Sequence, residues 1–224
     1  RTRLIVAFEK IVYEQISIMN SSLESIVPEN TKGKATDLEQ QIIAASREEA
    51  LLVFSEAAQR MLNINKWHHI GSSVSAEFAL TDSTGHKLER PAALGDFIKI
   101  DVLGPGSSAG DGYDWVYIEA LEDSRNSDAD EESVAMRVRA CDEPGKAGKD
   151  VAHFFTSEAT STFMVHRYQN TVKSLYRGRN EVLNTDAGKV LDKVRNALIG
   201  GAALAGLSEI QWGTLIKAFL QQEE

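Results

Sequence analysis

Two adjacent serines, Ser107 and Ser108, lie in the glycine-rich stretch LGPGSSAGDGYD. A serine becomes a nucleophile only when a base takes its proton and the backbone presents its hydroxyl on a sharp turn. GSSAG, Gly106 to Gly110, fits G-x-S-x-G with Ser108 at its centre. Gly104 to Gly110 also fits G-x-G-x-x-x-G, a spacing that lets backbone amides close on a pyrophosphate. Both chemistries require a helix to begin directly after the loop. Here Gly110 and Gly112 interrupt the chain, and YDWVYIEA then reads as a strand. Ser108 would need Asp101 or Asp114 together with His153 or His166, and nothing in the spacing brings them to one place. Gly104, Gly106, Ser107, Ser108, Gly110 and Gly112 are therefore read as a long flexible connection between strands. A serine hydrolase using Ser108 is the third and weakest of three functional readings.

The arginines offer a second chemistry. Arg137 and Arg139 lie two apart in one predicted strand, so both emerge on one face. Arg177 and Arg179 repeat that spacing, and Arg167 lies in the other strand of the same predicted hairpin. Such a cluster can hold a carboxylate or phosphate through paired hydrogen bonds. The plainer reading is a solvated face balanced by acids. Trp115 and Tyr117 share one face of their predicted strand, and Val116 and Ile118 the other. Both faces are apolar, which predicts a covered central strand or a curved sheet around a cavity. Arg137, Arg139, Arg167, Arg177, Arg179, Trp115 and Tyr117 are thus the expected anion or ligand contacts, with no catalytic set among them. YRGRNE, Tyr176 to Glu181, is read as a sheet-to-helix connection in preference to a pocket mouth, with Arg179 and Glu181 tying the C-terminal helices to the sheet.

Metal chemistry finds little support. His68 and His69 are adjacent, His86 stands apart, and no H-x-H or HExxH occurs. The acidic stretch EDSRNSDADEE, residues 122–132, lacks the glycine-centred spacing of a calcium loop and reads as a solvated turn. No metal and no cofactor are expected.

The elements that must position these residues follow from periodicity. Residues 3–19 carry one apolar stripe at helical spacing, Leu4, Phe8, Ile11, Val12, Ile16 and Met19 among it. Thr36 with Glu39 reads as a capping box, predicting a second helix to about Leu62, with a broader and less regular stripe. SVSAEFAL, DFIKIDVL, DWVYIEAL, SVAMRVRA, STFMVHRY and TVKSLY read as six strands, the last two joined by Gln169-Asn170. TDAGKVLDKVRNAL and SEIQWGTLIKAFL read as closing helices, the latter capped by Ser208 with Gln211. Runs of strands without intervening helices predict an antiparallel sheet, hence an α+β fold of about six strands in a curved sheet, flanked by two N-terminal and two C-terminal helices. One domain over 1–224 is expected: a helical part at 1–64, the sheet at 72–182 and a helical part at 185–221.

The chain has 224 residues and a net charge of −9, a field that opposes nucleic acid and anionic membranes. No segment reads as a membrane span. A lone cysteine, Cys141, excludes an intramolecular disulfide and favours a reducing, cytoplasmic compartment. The chain opens on Arg1, as expected of one that has lost a leader or of a part of something longer. The leading functional reading is a non-catalytic protein-interaction or structural module in a larger assembly, with a protein partner or a homo-oligomer. The second is a binder of a small apolar or amphipathic ligand. The element order resembles that of START-like helix-grip proteins, which implies a cavity between a curved sheet and a long C-terminal helix. No motif accompanies that resemblance, and two helices before the first clear strand depart from the usual order.

Overall fold

The computed structural model describes residues 24–70, 76–102, 113–145, 155–183 and 201–221. The expected helices at 3–19 and 185–198, the glycine-serine loop at 103–112, and His153 lie outside the described residues.

Seven strands form one sheet: β1 (Lys34–Ile43), β2 (Ala76–Thr81), β3 (Phe97–Val102), β4 (Asp114–Ser124), β5 (Glu131–Ala140), β6 (Thr160–Tyr168) and β7 (Thr171–Glu181). Their order is β1-β7-β6-β5-β4-β3-β2, with every neighbouring pair antiparallel. From β2 to β7 the chain is a plain meander, which needs no helical crossover. The described helices are α1 (Arg47–Leu62), the four-residue α2 (Trp67–Ile70) and α3 (Gly201–Phe219). Among the described residues no helix is long and apolar enough to cross a membrane.

Three sequence expectations change. The strand count is seven, not six, because residues 34–43 form β1 instead of the front half of a helix. Leu38 and Ile42, four apart, fit a helical stripe but equally share one face of a strand. Pairing with β7 along the whole length of β1 decides between them. Thr36 caps nothing: its hydroxyl donates to Glu181 Oε2 at 2.7 Å. The real cap is Ser46, whose Oγ accepts from Glu49 N at 3.2 Å, while the Glu49 carboxylate accepts from Ala45 N at 2.7 Å. Behind it Ala50, Val53, Phe54, Ala57, Ala58 and Met61 make a regular buried stripe. The stripe looked irregular in the sequence because it ran two elements together. Ser208 likewise does not start a helix, since α3 begins at Gly201.

One face of the sheet packs on the helices through Phe78, Ile98, Ile118, Met136, Phe163, Val165 and Tyr176. On the opposite, outer face, among the described residues, Ile26 and Val27 lie on Ala135, Met164 and Leu175. The sheet is strongly curved. Five strand spacings separate β7 from β2, roughly 24 Å if flat. Yet the Trp212 ring lies 5.6 Å from Tyr176 on β7 and 6.2 Å from Phe78 on β2. A single indole bridges them, so the sheet wraps around α3.

Candidate ligand-binding cavity

Along α3, Glu209, Trp212, Gly213, Ile216 and Phe219 recur at helical spacing. Leu215, Ile216 and Phe219 are fully buried and anchor the helix against the core. Arg60 of α1 donates to the Phe219 carbonyl at 3.0 Å, satisfying a free acceptor at the helix end. One turn towards the N-terminus of α3 the packing loosens, and Trp212 is only partly buried. Its ring stacks on Tyr176 at an interplanar angle of 19° and meets Phe163 edge-on at 5.4 Å.

Trp67 forms the facing wall. Its indole nitrogen donates to the Arg60 and Met61 carbonyls at 3.1 Å, and its ring contacts Phe78 at 5.2 Å and Phe163 at 5.1 Å. Between these walls lies a cavity of ≈ 30 Å³. Ile98 and Ile100 of β3, Val116 of β4 and Val138 of β5 close its sheet side, and Phe155 borders it. Among the described residues Ser161 is the one hydroxylic side chain in the lining.

Ser161 begins a half-buried polar chain. Its Oγ lies 2.9 Å from the Tyr176 hydroxyl, which donates to Glu181 Oε1 over a long 3.4 Å. The other carboxylate oxygen of Glu181 accepts from Thr36. The sheet leaves room for this arrangement because Gly178 stands across from Ser161 in the register. A Cβ on Gly178 would land on the Glu181 carboxylate and 3.2 Å from the Tyr176 hydroxyl. A glycine within a strand marks such close approaches. Burial holds the Glu181 carboxyl above its ordinary range, with Thr36 and Lys34 pulling the other way and Glu209 adding to the rise. Burial likewise raises the Tyr176 phenol, so it stays protonated. Lys34 pairs with Glu209 of α3 at this end of the cavity.

The residues expected to make anion or ligand contacts lie elsewhere. Arg137 and Arg139 share the Glu119 carboxylate on the outer face. Arg177 reaches Glu24 and Asp37, and Arg179 reaches Asp37. Arg167 is on the inner face, fully buried, donating to Glu132 at 2.8 Å and to the carbonyls of Ala129, Asp130 and Gln169. Trp115 and Tyr117 project from the outer face, where Tyr117 meets Phe97 at 5.1 Å and Lys99 lies 5.9 Å from the Trp115 ring. Val116 and Ile118 take the inner face, and Val116 reaches the cavity.

Asp101 and Asp114 sit at the sheet end that carries Ala140 and Thr160. His166 sits towards the other end, its Nε2 3.0 Å from Glu131 Oε1, so His166 joins neither aspartate. Ser108, Ser107 and the loop glycines lie outside the described residues. The Cys141 thiol is pushed up to about 12, first by burial and then by Asp142, and stays protonated. Among the described residues no group of three or more histidines, cysteines or acids could hold a metal ion.

Sequence reasoning missed Ser161, Phe78 and Trp212. The segment Tyr176 to Glu181 was singled out, but as a connection. In the structure it ends β7 and supplies the polar end of the cavity. The available signal was Gly178, placed inside an otherwise continuous strand.

No family model matches the chain, and no curated protein matches it by sequence. Solved structures do align with it. Norcoclaurine synthase from Thalictrum flavum, in complex with dopamine and hydroxybenzaldehyde, is 11% identical over 88% of this chain and 98% of that one, with a TM-score of 0.33. Major latex-like protein 151 from Panax ginseng is 14% identical over 84% of this chain and 100% of that one, at 0.34. A protein from Arthrobacter aurescens is 12% identical over 87% of this chain and 91% of that one, at 0.37.

Proposed function

We propose that the chain binds a small, largely apolar ligand between the curved sheet and α3. The observation that carries this reading is the cavity itself: among the described residues an aromatic and aliphatic lining with a single hydroxyl, on the stretch of α3 where Trp212 is only partly buried. Ligand sites have this composition, an apolar lining with a few placed polar groups.

At ≈ 30 Å³ the cavity holds about one or two waters, far below the several hundred Å³ of typical ligand sites. A ligand must therefore displace a wall. Trp67 is pinned by two carbonyls and three ring contacts. Trp212, on the looser stretch of α3, is the wall that yields. Titration with an uncharged naphthalene dye, whose emission shifts on leaving water, checks this. Saturable binding is expected, tighter in Trp212→Ala because the wall is already removed. A signal linear in dye and identical in both proteins would sink the proposal.

A further inference from the structure

The hydrogen-bond chain at the cavity's end has a direction. A carboxylate only accepts, so Thr36 and Tyr176 both donate to Glu181. The Tyr176 phenol has one proton, and that proton is committed to Glu181. The 2.9 Å contact between Ser161 and Tyr176 must then run from the Ser161 hydroxyl to the phenol oxygen. Ser161 is left with lone pairs and no proton to offer, on the one hydroxylic side chain that faces the cavity among the described residues. Ser161 is half-buried, and among the described residues its lone pairs face the cavity, where an incoming donor would complete them.

We propose that Ser161, oriented by Tyr176 and Glu181, is the polar specificity contact of this cavity, and that the ligand is a small ring compound bearing one hydroxyl group, which donates to Ser161 Oγ. The inference rests on the ligand-binding reading above. A carbonyl compound or an ether of the same size has no proton to give and is discriminated against. An ammonium group could also donate, but burying its charge among aromatic and aliphatic walls is costly. Tyr176 and Glu181 act through Ser161 and are positioning residues.

Phenol and fluorobenzene test this directly, because they match in size and only phenol donates. Calorimetric titration of each into the intact chain gives a preference ratio. That ratio is expected to fall about tenfold in Ser161→Ala, the equivalent of one hydrogen bond. Fluorobenzene affinity itself should change little. Tyr176→Phe, which keeps the ring and removes the phenol proton chain, should lower the ratio as well. Melting curves of both variants verify that they are folded. Saturable binding of both compounds with a ratio unchanged in either variant overturns the specificity contact and leaves the cavity reading standing. If neither compound binds the parent chain saturably, both proposals fall.

Discussion

Glu181 and His166 are both buried in part or whole, and burial moves them towards their neutral forms from opposite sides of the pH scale. Glu181 has its folded pKa raised above 4.5, chiefly by desolvation. Its contribution is therefore fully present below pH 4.5 and is lost as pH rises through the folded value. Glu181→Gln keeps the shape without the charge. Its stability relative to the parent should be similar near pH 4 and improve towards pH 8, read from urea midpoints. His166 has its folded pKa lowered below 6.5, first by desolvation, against the pull of Glu131. The unfolded chain then binds the proton more readily, so stability declines as pH falls from about 6.5 through the folded value. His166→Gln should flatten that acid limb alone. A variant pair that moved the same limb would contradict the separate assignments. At this scale the sequence was least legible. Glu181 and Tyr176 owe their character to the absence of a side chain at Gly178 and to the ring of Trp212, far away in the chain.

At the scale of elements, α1 shows how a cap decides a boundary. Ser46 and Glu49 satisfy two free amides, one at Glu49 and one at Ala45. Ser46→Ala should cost about 1 kcal/mol of stability by denaturant titration. Thr36→Ala, at the position first read as the cap, should leave the helix untouched and act through Glu181 instead. Six of the seven strands were legible as alternating runs, and the Gln169-Asn170 turn as their punctuation, with Gln169 taking a positive φ of 51°. β1 was not. Its sequence, KATDLEQQII, is rich in residues that favour helices and carries only two large apolar side chains on its inner face. Pairing with β7 overrides that local preference.

At the scale of the whole molecule, Arg167 joins parts that no local pattern connects. Its guanidinium gathers Glu132 and the carbonyls at both hairpin turns, β4–β5 and β6–β7, while Arg47 at the start of α1 donates to the first of those turns. Both members of the ion pair are buried, with side chains 0% and 5% exposed. Arg167→Met should cost about 3–5 kcal/mol, since it strands the Glu132 charge. Adding Glu132→Gln should recover part of that loss. A double variant no better than the single one would show that the carbonyl contacts, and not the charge pair, dominate.

Period-two alternation, turn residues and the absence of room for crossovers were enough to determine an antiparallel α+β chain, because those signals act between neighbours a few residues apart. The apolar character of both faces of β4 was also plain. Which face lines a cavity was not, because a strand's two faces are equivalent until something packs on one of them. The arginines illustrate the same limit: their spacing put pairs on one face, but Glu119, Asp37, Glu24 and Glu132, which come from other elements, decided what they hold. The cavity exists only because the sheet curls until one indole on α3 touches both β2 and β7. That curvature belongs to seven strands together and has no address in any single stretch of sequence.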